Sequence, residues 1–228
     1  FRAYREAAAE GRPYRLVVLN ASSYDGVAYD LRRIVDECLQ IDDSSVFLLD
    51  EAWSAPYFFH PTLKPFSAMH AAAELERGGH SPRIVSVQSA HKALSALRQG
   101  SYIHAYGDDA MAERLQTSRF KLHTTSPSYP ILASLDLARA QMVAEGEVLI
   151  GRALRIASDL VAEIKADPRL ASYRINESEF ADESARPYFF IDPTKISINL
   201  ADLGIRPEKL RQVLFEEHGT YISRYTDS

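Results

Sequence analysis

Two ionisable residues each follow a short apolar run in this 228-residue chain. Residues 46–49 lead directly into Asp50, and residues 84–87 lead within five residues to Lys92. Both runs have the length and composition of buried β-strands. Ligands of open α/β sheets bind at the carboxyl ends of the strands. We therefore expect Asp50 and Lys92 to face one ligand from neighbouring strand ends.

The chemistry that needs such a pair is that of pyridoxal phosphate. A lysine amine forms a Schiff base with the cofactor aldehyde, and a carboxylate that pairs with the pyridinium nitrogen keeps the ring an electron sink. Ala52, a small residue beside the carboxylate, would let the flat ring pack closely. The Ser89 hydroxyl is suited to hold the phosphate, and His91 is suited to stack on the ring and donate protons.

Several blocks of the sequence support this chemistry by their order and spacing: Asn-Ala-Ser-Ser-Tyr-Asp-Gly (20–26), Asp-Glu-Ala-Trp (50–53), Phe-His-Pro (59–61), Gln-Ser-Ala-His-Lys (88–92), Gln-Gly-Ser-Tyr-Ile-His (99–104), His-Thr-Thr-Ser-Pro-Ser-Tyr-Pro (123–130) and Asp-Pro-Thr-Lys (192–195). Together they resemble the pyridoxal phosphate-dependent ornithine/lysine/arginine decarboxylases of bacteria. A single Ser-x-His-Lys would be a weak signal, whereas ordered blocks over nearly the whole chain are specific.

The resemblance implies an α/β fold of the aspartate-aminotransferase type. This is a three-layer PLP-transferase large domain with a mostly parallel sheet, followed by the start of a small α+β C-terminal domain. We assign residues 1–145 to the PLP-binding large domain and residues 146–228 to a linking helix and a partial C-terminal domain. Relatives of this kind have segments before and after the matched region, so the chain is interpreted as a fragment that lacks N-terminal and C-terminal parts.

The implied activity is decarboxylation of a basic amino acid, lysine, ornithine or arginine, to the corresponding diamine or polyamine. Lys92 would hold the cofactor, Asp50 would keep the ring protonated, and His91 or Lys92 would protonate the carbanion. In the resembled family the loop that holds Thr125 and Ser126 reaches the neighbouring subunit's site and helps to hold the phosphate. The resemblance therefore implies a homodimer or a larger homo-oligomer.

Each candidate also has a simpler interpretation. Lys92 alone is typical of a surface lysine, and Asp50 alone of a cap or turn; their combination favours the cofactor site. Trp53 fits a wall of the substrate site as well as plain packing, and His60 fits a substrate contact as well as a structural histidine. The polar residues 20–26 are expected to face the cofactor.

Two other functions remain open from the sequence. Another pyridoxal phosphate-dependent lyase on the same fold, for β-elimination or aldol cleavage, would use the same lysine and carboxylate, because the reaction depends on which bond stands perpendicular to the ring. Alternatively, the chain is an inactive fragment or homologue that serves as a binding or assembly module.

The composition is that of an ordinary globular protein, with 46% hydrophobic and 25% charged residues. A net charge of −5 without a basic run argues against nucleic acid as a partner. The single cysteine, Cys38, forms no internal disulfide and suits a reducing cytoplasm. No apolar run approaches the ~20 residues of a membrane span, and the histidines lack metal-binding spacing.

Apolar periodicity predicts a helix over 27–40 between parallel strands at 16–19 and 46–50. The strand at 101–106 follows the previous one too closely for a crossover of roughly a dozen residues, so we expect it to be antiparallel and near an edge. Helices at 131–142 and 147–166 are interrupted by glycines. The rest is predicted as a loop at 174–185, strands at 188–191 and 196–200, and a helix at 207–218.

Overall fold

The structure, a computed structural model, describes residues 1–175, 186–200 and 203–224. In chain order its helices and strands are α1 (Arg2–Ala9), β1 (Leu16–Asn20), β2 (Val27–Tyr29), α2 (Leu31–Leu39), β3 (Val46–Asp50), α3 (Ala68–Arg77), β4 (Ile84–Gln88), α4 (Ala90–Ala93), β5 (Tyr102–Tyr106), α5 (Asp109–Leu122), α6 (Tyr129–Ala166), β6 (Arg174–Ile175), β7 (Phe189–Ile191), β8 (Ile198–Asn199) and α7 (Pro207–His218).

The central element is a four-stranded sheet in the order β1-β3-β4-β5. Strands β1, β3 and β4 are parallel, and β5 runs antiparallel to β4 at the edge. This confirms the mostly parallel sheet and the antiparallel edge strand that the short connection predicted. The carboxyl ends of the three parallel strands lie along the same edge of the sheet.

One face of the sheet is covered by α2 and α3. Alternate residues of each strand point to that face, which explains why Phe47 and Leu49 of β3 are completely buried together with Ile84 of β4. They pack with apolar residues of the two helices, namely Leu31, Val35, Cys38, Leu39, Ala68, Ala71, Ala72 and Leu75.

The opposite face of the sheet carries exposed apolar side chains. Leu16 and Val18 of β1 are 54% and 61% exposed, and Ile103 of β5 is 48% exposed. The strand registers place Val18 beside Leu48, and they place Ile103 in one row with Val87, Asp50 and Asn20. Asp50 therefore lies on this open face.

The predicted helix over 27–40 is wrong in its first turn. Residues Val27–Tyr29 form β2, which pairs antiparallel with β7. The helix α2 begins only after Asp30, whose side chain accepts a hydrogen bond from Arg33 N at 3.0 Å and thereby caps the helix. Val27 stands at helical spacing from Leu31, which made the segment look continuous with the apolar face of α2, although its neighbour Ala28 packs in a different cluster.

The predicted pair of helices after residue 130 is a single helix, α6, of 38 residues, about 57 Å long at 1.5 Å per residue. Gly146 and Gly151 lie inside it without breaking it, and both are buried. The proposed domain division at 145/146 falls within this helix and stays a prediction. Although α6 is long, neither it nor another helix of the described residues combines the length and apolar composition of a membrane span.

The C-terminal segments return to the first part of the chain. Strand β7 pairs with β2, and the two-residue strand β8 pairs with β6. The loop predicted at 174–185 is therefore wrong for Arg174 and Ile175, while residues 176–185 lie outside the described part. The predicted helix at 207–218 is confirmed as α7, with Pro207 at its start and Gly219 at φ 62° after its end.

Gly146 has a packing role that can be tested by Gly146→Ala. A Cβ at this position would lie 2.8 Å from Phe59 Cβ and 3.0 Å from Met142 Cε, so we expect overpacking of roughly 1–3 kcal/mol to outweigh the usual helix gain of roughly 0.5–1 kcal/mol. The midpoint of thermal unfolding should fall.

The matched control is Gly151→Ala in the same helix, because the nearest atom to an added Cβ there is His60 Nε2 at 3.4 Å. This variant should unfold at the wild-type temperature or above it. Equal destabilisation by the two changes would contradict a specific role of the Phe59 contact.

Candidate functional site

Asp50 and Lys92 lie at neighbouring strand ends, as predicted. Asp50 is the last residue of β3, and Lys92 lies in α4, which begins two residues after β4 ends. Asp50 is paired in register with Val87 of β4 on one side and with Asn20, the last residue of β1, on the other. Three polar segments of the sequence thus meet at one edge of the sheet.

The Lys92 ammonium rests on an aromatic ring. Its Nζ lies 4.8 Å from the centroid of the Trp53 ring, within the range of a cation–π interaction. The edge of the Tyr24 ring meets Trp53 with centroids 4.7 Å apart. Lys92 itself is exposed, so its amine is accessible from solvent while the ring fixes its direction. Trp53 therefore forms a wall beside the lysine.

The Asp50 carboxylate shapes the turn that follows β3. Its Oδ1 accepts a hydrogen bond from Ala52 N at 2.9 Å, which holds the small side chain of Ala52 beside it. Both residues are half-buried. The carboxylate thus stays partly open at the edge of the sheet, where it can meet a cationic or N–H group.

His91 has a defined orientation. Its Nδ1 lies 2.8 Å from the carbonyl oxygen of Gly100, and because a carbonyl only accepts, Nδ1–H donates. In the neutral ring Nε2 then carries the lone pair. Ser89 precedes α4 at its cap position, and its hydroxyl makes no capping bond to that helix. The Ser89 carbonyl accepts from Lys92 N at 3.0 Å.

A buried carboxylate behind the site was missed by the sequence reasoning. Glu51 is 0% exposed, and it accepts hydrogen bonds from Ala68 N at 2.9 Å, from the Ser86 hydroxyl and from Gln88 Nε2 at 3.0 Å. Burial raises the pKa of Glu51, while these three bonds act in the opposite direction. The alternation of side chains after the buried Leu49 was the signal that could have revealed it.

The network extends to β5 through Gln88. Its amide nitrogen donates to Glu51, so its Oε1 faces His104, whose Nε2 lies 3.2 Å away. Burial lowers the pKa of His104, which favours the neutral ring, and Nε2–H is the atom that donates. His104 is therefore a member of this network.

His60, Thr125 and Ser126 are the remaining predicted residues of the site. His60 Nδ1 accepts from Thr62 N at 3.2 Å, and its ring packs on Gly151 of α6. Thr125 and Ser126 are exposed in the connection between α5 and α6, where Ser126 N donates to Thr124 Oγ1 at 3.1 Å. The substrate role of His60 and the phosphate role of Thr125 and Ser126 stay predictions.

Two of the sequence blocks are held against each other. The hydroxyl of Tyr57 donates to Asp192 Oδ2 at 2.8 Å in a buried position, and burial together with this carboxylate raises the pKa of Tyr57. Asp192 N donates to the Gly26 carbonyl at 2.8 Å. Gly26 has φ 95°, and a Cβ there would lie 2.6 Å from Lys195 Cβ. The turn at 192–195 thus supports the loop at 20–26.

Two buried hydroxyls near these strand ends, those of Ser22 and Ser54, have no hydrogen-bond partner within the described part of the chain. Ser22 follows the end of β1 by two residues, and Ser54 follows the end of β3 by four. Over residues 1–175, 186–200 and 203–224, no group of three or more His, Cys, Asp or Glu side chains could hold a metal ion.

The mostly parallel sheet with its helices is an α/β fold of the kind found in pyridoxal phosphate-dependent decarboxylases. The family model described as "Orn/Lys/Arg decarboxylase, major domain" matches residues 2–206. The chain belongs to the Orn/Lys/Arg decarboxylase family, whose members depend on pyridoxal phosphate.

Individual relatives agree with this assignment. The chain is 34% identical over 190 residues to an arginine decarboxylase of Halalkalibacterium halodurans, and the match covers 83% of this chain and 35% of the relative. It is 30% identical over 247 residues to the constitutive lysine decarboxylase of Escherichia coli, with 93% and 32% covered. The chain thus spans about a third of the length of these curated relatives.

A solved structure supports the fold. The crystal structure of a lysine decarboxylase of Francisella novicida superposes with a TM-score of 0.73 at 25% identity, covering 98% of this chain and 34% of that one. The predicted fold class is therefore confirmed.

The contact of Lys92 with Trp53 can be tested by Trp53→Leu in the cofactor-free, full-length protein. Loss of a cation–π contact of roughly 0.5–1 kcal/mol should free the amine and raise its rate of modification by an amine-reactive reagent by about two- to fivefold. Mass spectrometry would give the rate at Lys92.

Lys64 is the internal control, since its Nζ lies 4.7 Å from the Phe58 ring centroid in a comparable contact. Its rate should not change in Trp53→Leu. An unchanged rate at Lys92, or an equal rise at both lysines, would argue against the Trp53 contact.

Proposed function

We propose that the protein decarboxylates a basic amino acid with pyridoxal phosphate attached to Lys92. The observation that supports this most directly is the position of Lys92 and Asp50 at adjacent strand ends, in a member of a family named for ornithine, lysine and arginine. The family name supports basic amino acids as the substrate class. The individual substrate is a matter for product analysis.

The residues at the sheet edge fit this cofactor. An exposed lysine amine is available for attachment, and a half-buried carboxylate on the next strand suits a protonated ring nitrogen. The Ser89 hydroxyl, which makes no capping bond, suits a phosphate oxygen. Trp53 supplies an aromatic surface next to Lys92. The site thus offers an amine for covalent attachment, a carboxylate opposite the ring nitrogen, a hydroxyl that can donate a hydrogen bond to the phosphate, and an aromatic surface beside the ring.

When bound, pyridoxal phosphate supplies the electron sink for the charge left on the substrate when carbon dioxide departs. Lys92 would provide the amine that holds the cofactor. Asp50 would stabilise a protonated ring nitrogen through a charge-assisted hydrogen bond. His91, oriented by its Nδ1–H bond to Gly100, presents Nε2 as the atom that exchanges a proton with the substrate carbon or its amine.

Assembly is the second part of the proposal. Thr125 and Ser126 are exposed in the connection between α5 and α6, and we propose that they complete the phosphate site of a second copy in a homodimer or larger homo-oligomer. Their exposure supports this because a loop must leave its own subunit to reach another. A cytoplasmic location stays a prediction that rests on the single cysteine.

The attachment of the cofactor is tested by borohydride reduction of the full-length protein with pyridoxal phosphate. The label should appear on Lys92, and Lys92→Ala should abolish both the label and the absorbance near ~420 nm that such an attachment gives. Assays with lysine, ornithine and arginine would identify the product.

A label on Lys64, Lys121 or Lys195 instead would refute the assignment of Lys92. Release of ammonia or an aldehyde, without carbon dioxide, would favour another lyase on the same fold. A protein that takes up no cofactor at all would favour the binding or assembly module.

The proposed role of the loop is tested by sedimentation of the full-length protein with and without the cofactor. A ligand bound across an interface stabilises the associated state, so cofactor should lower the dimer dissociation constant. Ser126→Ala should reduce this effect, because it removes a hydroxyl that we assign to the phosphate of the second copy.

The matched control is Ser118→Ala, which removes the hydroxyl of another exposed serine, on α5 and outside the loop. This variant should keep the full effect of the cofactor on the dimer dissociation constant. Equal cofactor affinity of monomer and dimer would contradict the shared site.

A further inference from the structure

The side chains of two acidic residues at the end of β3, adjacent in sequence, point to opposite faces of the sheet. Asp50 belongs to the row of Val87 and Ile103 on the open face. Glu51 is 0% exposed and bonds with residues of the face covered by α3. The alternation of side chains along an extended strand explains this division. The Glu51 carboxylate thus lies behind the candidate site and does not face it.

Glu51 joins the two segments that carry the candidate pair. It follows Asp50 by one residue, and its partner Gln88 precedes Lys92 by four. The side chains of Glu51 and Gln88 are bonded at 3.0 Å, and the backbone of Glu51 donates to Val87 O at 2.9 Å. The position of β3 relative to the start of α4 therefore depends on Glu51 through both its backbone and its side chain.

The other carboxylate oxygen reaches the helix that covers the sheet. Glu51 Oε1 accepts from Ala68 N, the first residue of α3, at 2.9 Å. A negative group is favourable at a helix N-terminus, and the Ser86 hydroxyl also donates to this carboxylate. One buried side chain thus connects β3, β4 and α3, immediately below the edge where Asp50 and Lys92 lie.

The hydrogen bonds of this network have a single direction. His104 Nε2–H donates to Gln88 Oε1, and Gln88 Nε2–H donates to Glu51. An amide can satisfy both neighbours in only one of its two orientations, because its oxygen only accepts and its nitrogen only donates. The acceptor at position 51 therefore sets the orientation of Gln88, and Gln88 in turn sets that of His104.

We infer that Glu51 is a positioning residue for the proposed reaction. Through an oriented chain of hydrogen bonds that runs from His104 through Gln88 to Glu51, it holds Asp50 and Lys92 at their working separation. This inference rests on the proposed function. A shift of about 1 Å in a catalytic group costs about a hundredfold in rate. A carboxylate that clamps both strand ends therefore affects turnover as well as stability.

The decisive variants are Glu51→Gln, Gln88→Glu and the two changes together in the full-length protein. Glu51→Gln leaves one acceptor oxygen where there were two, so the new NH2 group must oppose either Ala68 N–H or the amide of Gln88. In Gln88→Glu two buried carboxylates oppose each other. In the double variant the new amide at position 51 donates to the new carboxylate at position 88, which accepts from His104 on its other side. The exchange therefore restores donor–acceptor pairing without restoring either residue.

We expect Glu51→Gln to lower kcat of the cofactor-loaded protein by about tenfold or more, with a much smaller change in KM. The midpoint of thermal unfolding of the cofactor-free protein should fall by roughly 2–6 °C. The double variant should recover kcat to within about threefold of wild type and regain most of the lost midpoint, because the two sites are coupled. Asp50→Asn serves as the reference for loss of the ring partner itself.

The matched control is Glu163→Gln, which makes the same change at an exposed position on α6 and should leave kcat and the unfolding midpoint unchanged. A wild-type kcat in cofactor-loaded Glu51→Gln, with only the midpoint lowered, would overturn the positioning role and leave a structural one. Failure of the double variant to regain the midpoint would overturn the oriented chain.

The proposed function itself is tested separately, by measurements on the wild-type protein. If wild type shows no cofactor absorbance and no release of carbon dioxide, the proposed function is refuted, and the positioning inference with it. If wild type is active while Glu51→Gln is indistinguishable from it, only the inference fails.

Discussion

A carboxylate buried in a protein must be compensated by hydrogen bonds or neutralised, because removal of a charge from water costs several kcal/mol. Glu51 meets this constraint with three donors from the first residue of α3 and from two side chains of β4. The compensation has a structural result. The donors belong to the elements that place Asp50 and Lys92 at neighbouring strand ends, so the solvation of one side chain and the geometry of the sheet edge are coupled.

The wall of the site depends on a second set of contacts, made by distant parts of the chain. The segment after Trp53 is fixed on one side by α6, where Gly146 admits Phe59, and on the other by β7, where Phe66 stacks on Phe190 with centroids 3.7 Å apart. The buried bond from Tyr57 to Asp192 spans 135 residues of sequence. Sheet edge, wall and C-terminal turn therefore form one connected structure.

The sequence predicted those features that depend on local pattern. The position of Asp50 and Lys92 at neighbouring strand ends could be predicted because apolar runs indicate strands and strand ends are adjacent in a parallel sheet. The direction of β5 followed from the length of its connection. The features it missed depend on distant partners. Val27–Tyr29 becomes a strand only because β7, far later in the chain, pairs with it, and Gly146 resembles a helix breaker until its contact with Phe59 is known.

The open face of the sheet has a practical consequence for laboratory work on these 228 residues by themselves. Strands of parallel sheets are normally covered on both faces, yet Leu16 and Val18 are more than half exposed here. Both lie on β1, one of the two edge strands of the sheet as described. Apolar faces and free strand edges promote self-association. Self-association, more than the free energy of folding, will therefore limit the concentration at which the isolated chain stays in solution.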